Sequence, residues 1–295
     1  MAQRTEITTR HQVRRRRRRR RRFSTFHMLL ITILFVLAAG IFFPVRHLVY
    51  LFAGQGSGQY FPQGEHPGSY APAEPVGFAG RLAAFARENG LSVTDWPDVL
   101  VEHAAENPEL EEFVLQYPLQ KDQSPEIDLS DCTDGKTVPL LLQWDARWGY
   151  TTYADNLMGL SGCGPTCLSM VCLYLKQDAR LTPAYLARFS EEHGYSLPGG
   201  GSSWTLISEG GPQLGLDVIE IPLDKRRVER NLEVGNPVIC VMGPGDFTTT
   251  GHFIVLTGLE DGKLRVNDPN SPIRSARLWT FDEIRDQIKN LWVCR

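Results

Sequence analysis

The 295-residue chain predicts an α+β fold, because helical patterns come first along it and short strand-like runs follow. Two observations carry this. Residues 163–175 place Cys167, Leu168, Val171, Cys172 and Leu175 at helical spacing, a helix with one buried stripe. After Gly215 the apolar runs at 217–221, 237–242, 252–257 and 264–267 have strand length. Residues 183–193 read as a second helix, 226–233 as a helix between strands, and 279–290 as a further helical segment. Residues 138–143 (Val138-Pro139-Leu140-Leu141-Leu142-Gln143) read as a strand entering the main domain.

The segments before it differ in composition. Residues 1–50 hold 12 of the 31 Lys and Arg and one of the 34 Asp and Glu, so the rest of the chain is strongly acidic. An acidic body argues against a nucleic-acid partner, which needs a cationic face. Arg14 to Arg22 is an unbroken run of nine arginines, and the apolar residues 26–43 after it carry no formal charge. Eighteen helical residues span about 27 Å, close to the hydrocarbon thickness of a bilayer. A basic flank holds its end in the cytoplasm, so the body is expected outside the cell. A cleaved signal peptide is the rival reading, but Ala38-Ala39-Gly40 lies inside the apolar run, which favours an uncleaved anchor. Both readings export the body.

Residues 54–76 are rich in Gly, Pro, Gln and Ser and read as a linker. Residues 78–89 read as an amphipathic helix ended by Gly90, and 92–105 and 108–117 as two more helices, together a small prodomain-like or spacer unit. Residues 120–136 read as loop. The expected division is a basic tail at 1–25, an anchor at 26–43, a linker at 44–77, a helical segment and loop at 78–135, and the main domain at 136–295. The six cysteines form neither a disulfide framework nor a zinc pattern, and no cofactor is expected. Cys132 and Cys294 lie outside the apolar runs, where pairing in an oxidising compartment is open.

A nucleophilic cysteine must be a thiolate, have a base beside it, and face donors for the developing oxyanion. Cys163 sits in Ser161-Gly162-Cys163-Gly164-Pro165-Thr166. Pro165 suits a first helical turn, so Cys163 falls at a helix N-terminus, where the dipole favours the thiolate. The glycines allow a tight turn and close substrate approach. Of seven histidines, only His252 opens a β-run, Gly251-His252-Phe253-Ile254-Val255. Asp268, in Val266-Asn267-Asp268-Pro269, ends the next strand and is the expected orienter of the imidazole, with Asn267 as the fallback. A two-residue Asp261-Gly262 turn would put Asp268 on the face opposite His252. A three-residue loop with left-handed Gly262 puts both on one face, and that register is expected. Gln143 is the candidate side-chain donor to the oxyanion.

These motifs, with Gln143-Trp144-Asp145 and Arg147-Trp148, occur in an order that resembles the bacteriocin-processing-type cysteine peptidases, and more closely their stand-alone, membrane-anchored or secreted relatives (peptidase C39-like) in Gram-positive bacteria. The resemblance covers about residues 138–295. It implies a papain-like fold, a helix bearing the nucleophile packed on an antiparallel sheet. It also implies Cys163 as nucleophile, His252 as base, Asp268 as orienter and Gln143 in the oxyanion hole. The bacteriocin processors are fused to export transporters, and this sequence shows no such machinery, so their double-glycine leader specificity is not assumed.

The expected function is extracytoplasmic cleavage of a peptide or protein substrate through a thioester. The alternatives are peptidoglycan amide hydrolysis on the same fold and a surface peptide-binding domain with a residual triad. Asp145 and Arg147 read as a structural ion pair. Residues 199–204 (Gly199-Gly200-Gly201-Ser202-Ser203-Trp204) read equally as a cleft-lining loop or a helix entry capped by a serine.

Overall fold

A computed structural model describes residues 77–295. The predicted tail and anchor lie outside them, as does the linker except for Gly77, which instead begins the first helix. Among the described residues no helix is long and apolar enough to cross a membrane.

Three helices come first: α1 (Gly77–Glu88), α2 (Asp98–Glu106) and α3 (Glu111–Gln120). Gly90 follows α1 at φ +67, the left-handed conformation a helix end favours. The helix expected at 92–105 is divided. Ser92 caps a short 3-10 turn, Val93–Asp95, in a reciprocal box with Asp95, and Trp96 is extended before Pro97. A second 3-10 turn, Pro108–Leu110, is capped by Asn107 and leads into α3. Phe78, Leu82, Trp96, Leu100, Leu110, Phe113 and Val114 form the core of this unit, and the Trp96 indole donates to the Val114 carbonyl at 2.6 Å.

The unit is not a free-standing spacer. Phe113 stacks on Tyr150 of the main domain, with centroids 4.4 Å apart and planes 9° from parallel. The Tyr150 hydroxyl donates to the Phe113 carbonyl at 2.8 Å. A Cβ on Gly149 or Gly159 would come within 2.8 or 2.5 Å of the Phe113 ring, so both glycines are there to admit it.

The main domain is a six-stranded antiparallel sheet with helices on both faces. In chain order the strands are β1 (Thr152–Tyr153), β2 (Asn156–Leu157), β3 (Ser196–Leu197), β4 (Gly201–Ser202), β5 (Val218–Glu220), β6 (Val238–Met242), β7 (His252–Glu260), β8 (Lys263–Asn267), β9 (Leu278–Trp279) and β10 (Ile288–Cys294). β1–β2 and β3–β4 are separate hairpins, and the main sheet has the order β5-β10-β6-β7-β8-β9. The α-helices of four or more residues are α4 (Met158–Ser161), α5 (Cys163–Lys176), α6 (Pro183–Glu192), α7 (Lys225–Glu233), α8 (Pro272–Ala276) and α9 (Phe281–Ile284).

Alternation along β6 shows how the sheet is covered. Ile239 and Val241 join Phe253, Val255 and Trp292 beneath α5 and α6. Val238, Cys240 and Met242 join Ile254, Leu256, Leu291 and Val293 on the other face, closed by Val228 and Leu232 of α7 and by Trp279, Phe281 and Ile284. Two-sided burial explains why these strands read as unbroken apolar runs. The same enclosure corrects the one-stripe reading of α5, whose residues from Gly164 to Leu173 are all buried.

Two further expectations change, and one open question closes. Residues 138–143 join no ladder among the described residues. Pro139 lacks a donor, and the segment is held by isolated bonds: Asn267 donates to the Val138 and Pro139 carbonyls at 3.1 and 3.0 Å, and the Gln143 N–H to the Pro269 carbonyl at 2.7 Å. The helix expected at 279–290 is only α9 and a 3-10 turn, Arg285–Gln287, after which the chain enters β10 between β5 and β6. Finally, all six cysteines are free thiols, so Cys132 and Cys294 do not pair.

Candidate active site

α4 ends at Ser161, Gly162 caps α5, and Cys163 is the first residue of α5. The flanking glycines have a local cause. A Cβ at Gly162 would meet the Met158 sulfur at 2.4 Å and the Met158 carbonyl oxygen at 2.5 Å. A Cβ at Gly164 would meet the Ser202 hydroxyl at 2.4 Å. They are glycines because protein packs there, not because of a left-handed turn. Ser202 is held in turn by Tyr153, whose hydroxyl lies 2.6 Å from Ser202 Oγ and 2.8 Å from Ser190 Oγ. Burial, partly offset by these two bonds, pushes the Tyr153 phenol up to about 12.

The segment 199–204 is a helix entry preceded by a short strand. Gly201 and Ser202 form β4 against the start of α5, while the Ser203 hydroxyl accepts from the Thr205 N–H at 3.3 Å as the chain turns into the next helical stretch. Trp204 meets the Trp292 ring edge-on at 6.3 Å.

His252 opens β7, opposite Met242. Its Nε2 lies 2.7 Å from Asp268 Oδ1, with both side chains buried. How they meet differs from the expected register. The connection is a two-residue turn: Glu260 pairs with Lys263, and Asp261 and Gly262 both have positive φ, at 51° and 73°. Continued unbroken, that pairing would set Asp268 opposite Val255 and on the wrong side. Between Leu256 and Gly258 the register shifts, so Leu256 pairs with Val266 and Val255 with Asn267. The position after Asn267 then faces Ile254, which shares a side with His252. A bulge at Thr257, not a longer turn, aligns histidine and carboxylate. Asn267, the fallback orienter, points its amide into the 138–139 segment instead.

Burial pulls the His252 imidazole down. The Asp268 carboxylate and the Cys163 side chain outweigh it, raising the pKa to about 10, so the ring carries its proton at neutral pH. With Nε2 on Asp268, Nδ1 is the nitrogen left for a thiol. Asp268 is buried, which alone would raise it, but His252 and then Arg274 hold it below the usual carboxylate range. It accepts from Arg274 Nε at 2.5 Å through its second oxygen and from the Asn270 N–H at 2.8 Å, while its own N–H donates to Ser275 Oγ at 2.9 Å.

Gln143 is buried between the two halves of the site. Its backbone N–H holds Pro269, next to Asp268, and its Nε2 donates to the Gly159 carbonyl at 2.9 Å, four residues before Cys163. One amide hydrogen remains to donate, and Oε1 has no hydrogen-bond partner among the described residues. Asp145 and Arg147 form a two-pronged pair at 2.8 and 3.0 Å, as expected. Of the other histidines, His193 caps the C-terminus of α6, and its Nδ1 lies 2.9 Å from the Phe189 carbonyl.

The structure adds Arg274 and its helix to the site. Ser271 caps α8 through the Arg274 N–H at 3.0 Å and is fully buried. A serine followed by proline is a helix-start signal, and Ser271-Pro272 could have revealed α8 in the sequence.

Among solved structures, the chain is similar to the peptidase domain of Streptococcus ComA, a bi-functional ABC transporter involved in a quorum sensing pathway. The identity is 19%, over 53% of this chain and 96% of that one, with a TM-score of 0.38. It is also similar to a putative C39-like peptidase from Bacillus anthracis, at 13% identity over 58% of this chain and 98% of that one, with a TM-score of 0.37. No curated protein matches. The family described as Peptidase_C39 like matches residues 136–294, more than half of the sequence, and the chain belongs to that family.

Proposed function

We propose that the protein is a cysteine peptidase that hydrolyses peptide bonds through Cys163, His252 and Asp268. The observation that carries the reading is the buried 2.7 Å contact between His252 Nε2 and Asp268, in a ring on which Cys163 also acts. In the reaction, the Cys163 sulfur attacks the scissile carbonyl carbon and the carbonyl electrons move to oxygen. The Cys163 N–H and the spare Gln143 amide hydrogen donate to that oxyanion. The protonated imidazole gives its proton to the leaving amine as the C–N bond breaks, leaving a thioester on Cys163. The neutral imidazole then takes a proton from water, hydroxide attacks the thioester, and sulfur leaves to restore the thiolate and imidazolium. Asp268 keeps Nε2 protonated and the ring oriented, so Nδ1 carries both transfers.

The basic run at 14–22 and the uncharged apolar run at 26–43 support an exported domain tethered to the membrane, with an extracytoplasmic substrate. Two measurements test the proposal. A peptide library incubated with the full-length chain in detergent and read by mass spectrometry gives cleavage that Cys163→Ala abolishes. Products only from purified cell walls would replace the peptidase with the amide-hydrolase alternative. Protease added to intact protoplasts degrades the body, and a protected body would overturn the exported reading.

A further inference from the structure

We propose that Glu109, in the helical unit preceding the family-matched segment, is a positioning residue for Asp268, an inference that rests on the peptidase reading above. Glu109 lies in the turn Pro108–Leu110, fixed by the Asn107 cap on its N–H at 3.1 Å and by the buried Leu110 beside it. Both of its carboxylate oxygens cross to α8. Oε1 accepts from Ser271 Oγ at 2.5 Å, and Oε2 accepts from the Ile273 N–H at 3.0 Å. Ser271 Oγ also accepts the Arg274 N–H, and the Arg274 side chain grips Asp268. Ser275, on the same short helix, takes the Asp268 N–H. α8 is only five residues long and has no buried side chain of its own, so its placement depends on these polar ties.

The same helical unit supports the opposite side of the site. Phe113 packs against Gly159, whose carbonyl holds the Gln143 amide. Residues 77–120 therefore hold the carboxylate through Glu109 and the oxyanion donor through Phe113. They act as a built-in support of the enzyme and not as a removable inhibitory segment.

Loss of Glu109 loosens α8, weakens the grip of Arg274 on Asp268, and reduces the support Asp268 gives the protonated imidazole. The charged and titratable groups facing this pair are Cys163 on His252, and Arg274 and Cys167 on Asp268. None of them replaces Glu109.

The test uses the full-length chain carrying Glu109→Ala or Glu109→Gln, with Arg81→Ala as control, since Arg81 pairs with Glu111 inside the same unit away from the site. Two readouts are taken: the pH profile of kcat/KM on a cleaved peptide, and the His252 titration by NMR on histidine-labelled protein. Glu109→Ala lowers kcat/KM about tenfold with KM changed less than about twofold, and moves the His252 titration down by about one pH unit. Glu109→Gln, which keeps one accepting oxygen, falls between it and the wild type. Arg81→Ala leaves both readouts unchanged. A wild-type His252 titration in Glu109→Ala, or an equal shift in Arg81→Ala, overturns the proposal. If Glu109→Ala does not fold, Glu109→Gln and Ser271→Ala decide by the same criteria. A wild-type chain that cleaves no peptide removes the peptidase reading alone, because the titration still reports whether Glu109 positions Asp268.

Discussion

Replacing Asp268 separates charge from geometry. Its carboxylate is fully buried and accepts from His252, Arg274 and the Asn270 N–H. Asp268→Ala strands the buried His252 imidazolium, the half-buried Arg274 guanidinium and a backbone N–H. Removing one partner of a buried charge pair costs about 3–5 kcal/mol, roughly 10 °C in melting temperature for a domain of this size. Asp268→Asn keeps one oxygen for His252 and Asn270 but turns an N–H₂ toward Arg274 Nε, a donor against a donor. An unsatisfied buried donor costs about 1–3 kcal/mol, so the asparagine variant sits between alanine and wild type in stability. Activity follows the same order: kcat/KM falls roughly 10–100-fold in Asp268→Asn, which still orients the ring, and about 10⁴-fold in Asp268→Ala. Adding Arg274→Met to Asp268→Asn removes the opposed donor and recovers stability without recovering activity. Thermal melts and peptide kinetics on the wild type, Asp268→Asn, Arg274→Met and the double variant complete this cycle. If Asp268→Asn melts like the wild type and Arg274→Met adds nothing, Arg274 is not committed to Asp268 and the reasoning fails.

The pH dependence has a definite sign. His252 is raised in the fold, so its stabilising contribution is complete below its ordinary value near 6.5 and is lost as pH rises toward about 10. Melting temperature should decline over that window in the wild type and less in Asp268→Asn, and an equal decline in both would count against the assignment. Iodoacetamide should label Cys163 first, because burial pushes up the thiols of Cys167, Cys172, Cys240 and Cys294, that of Cys172 to about 12; mass spectrometry finding equal labelling of all six would refute this. Gly164→Ala forces Ser202 off Tyr153 and should cost about 1–3 kcal/mol, read by chemical denaturation, and an unchanged midpoint would mean the contact yields freely. Asn267→Ala frees the 138–139 carbonyls and should lower stability by about 1–3 kcal/mol while most turnover persists; complete loss of turnover at normal stability would restore Asn267 as an orienter.

The catalytic candidates were legible because their chemistry is local. Cys163 stands at a helix start marked by Pro165, and His252 heads an apolar run, so propensity and pattern suffice for both. The partnership of His252 with Asp268 was also readable, but for a reason that failed. Asp261-Gly262 is a strong two-residue turn signal, and the sheet keeps that turn and spends one residue at Thr257. Nothing about a threonine in a strand announces a bulge. β10 was missed for a different cause. Asp282, Glu283, Arg285, Asp286, Gln287 and Lys289 give residues 279–290 a helical surface pattern, and only burial between two strands overrides it. Glu109 was unreadable because its partners lie more than 160 residues away in sequence.

The place of β10 in the sheet also governs the order in which the domain can assemble. β6, β7 and β8 follow one another as neighbouring hairpins and need only nearby chain. Among the described residues β5 has no such neighbour; its one ladder there is to β10, about seventy residues later, and β10 must pair with β6 as well. Until residues 288–294 arrive, β6 presents Val238 to Met242 as an open apolar edge, the kind of template on which chains associate. Long-range closure of this type is slow compared with hairpin formation. During synthesis, therefore, the helix bearing Cys163 and the hairpin bearing His252 are in hand well before the sheet can close. A domain interrupted ahead of β10 would be an aggregation hazard, while the completed one buries that edge under its last strand.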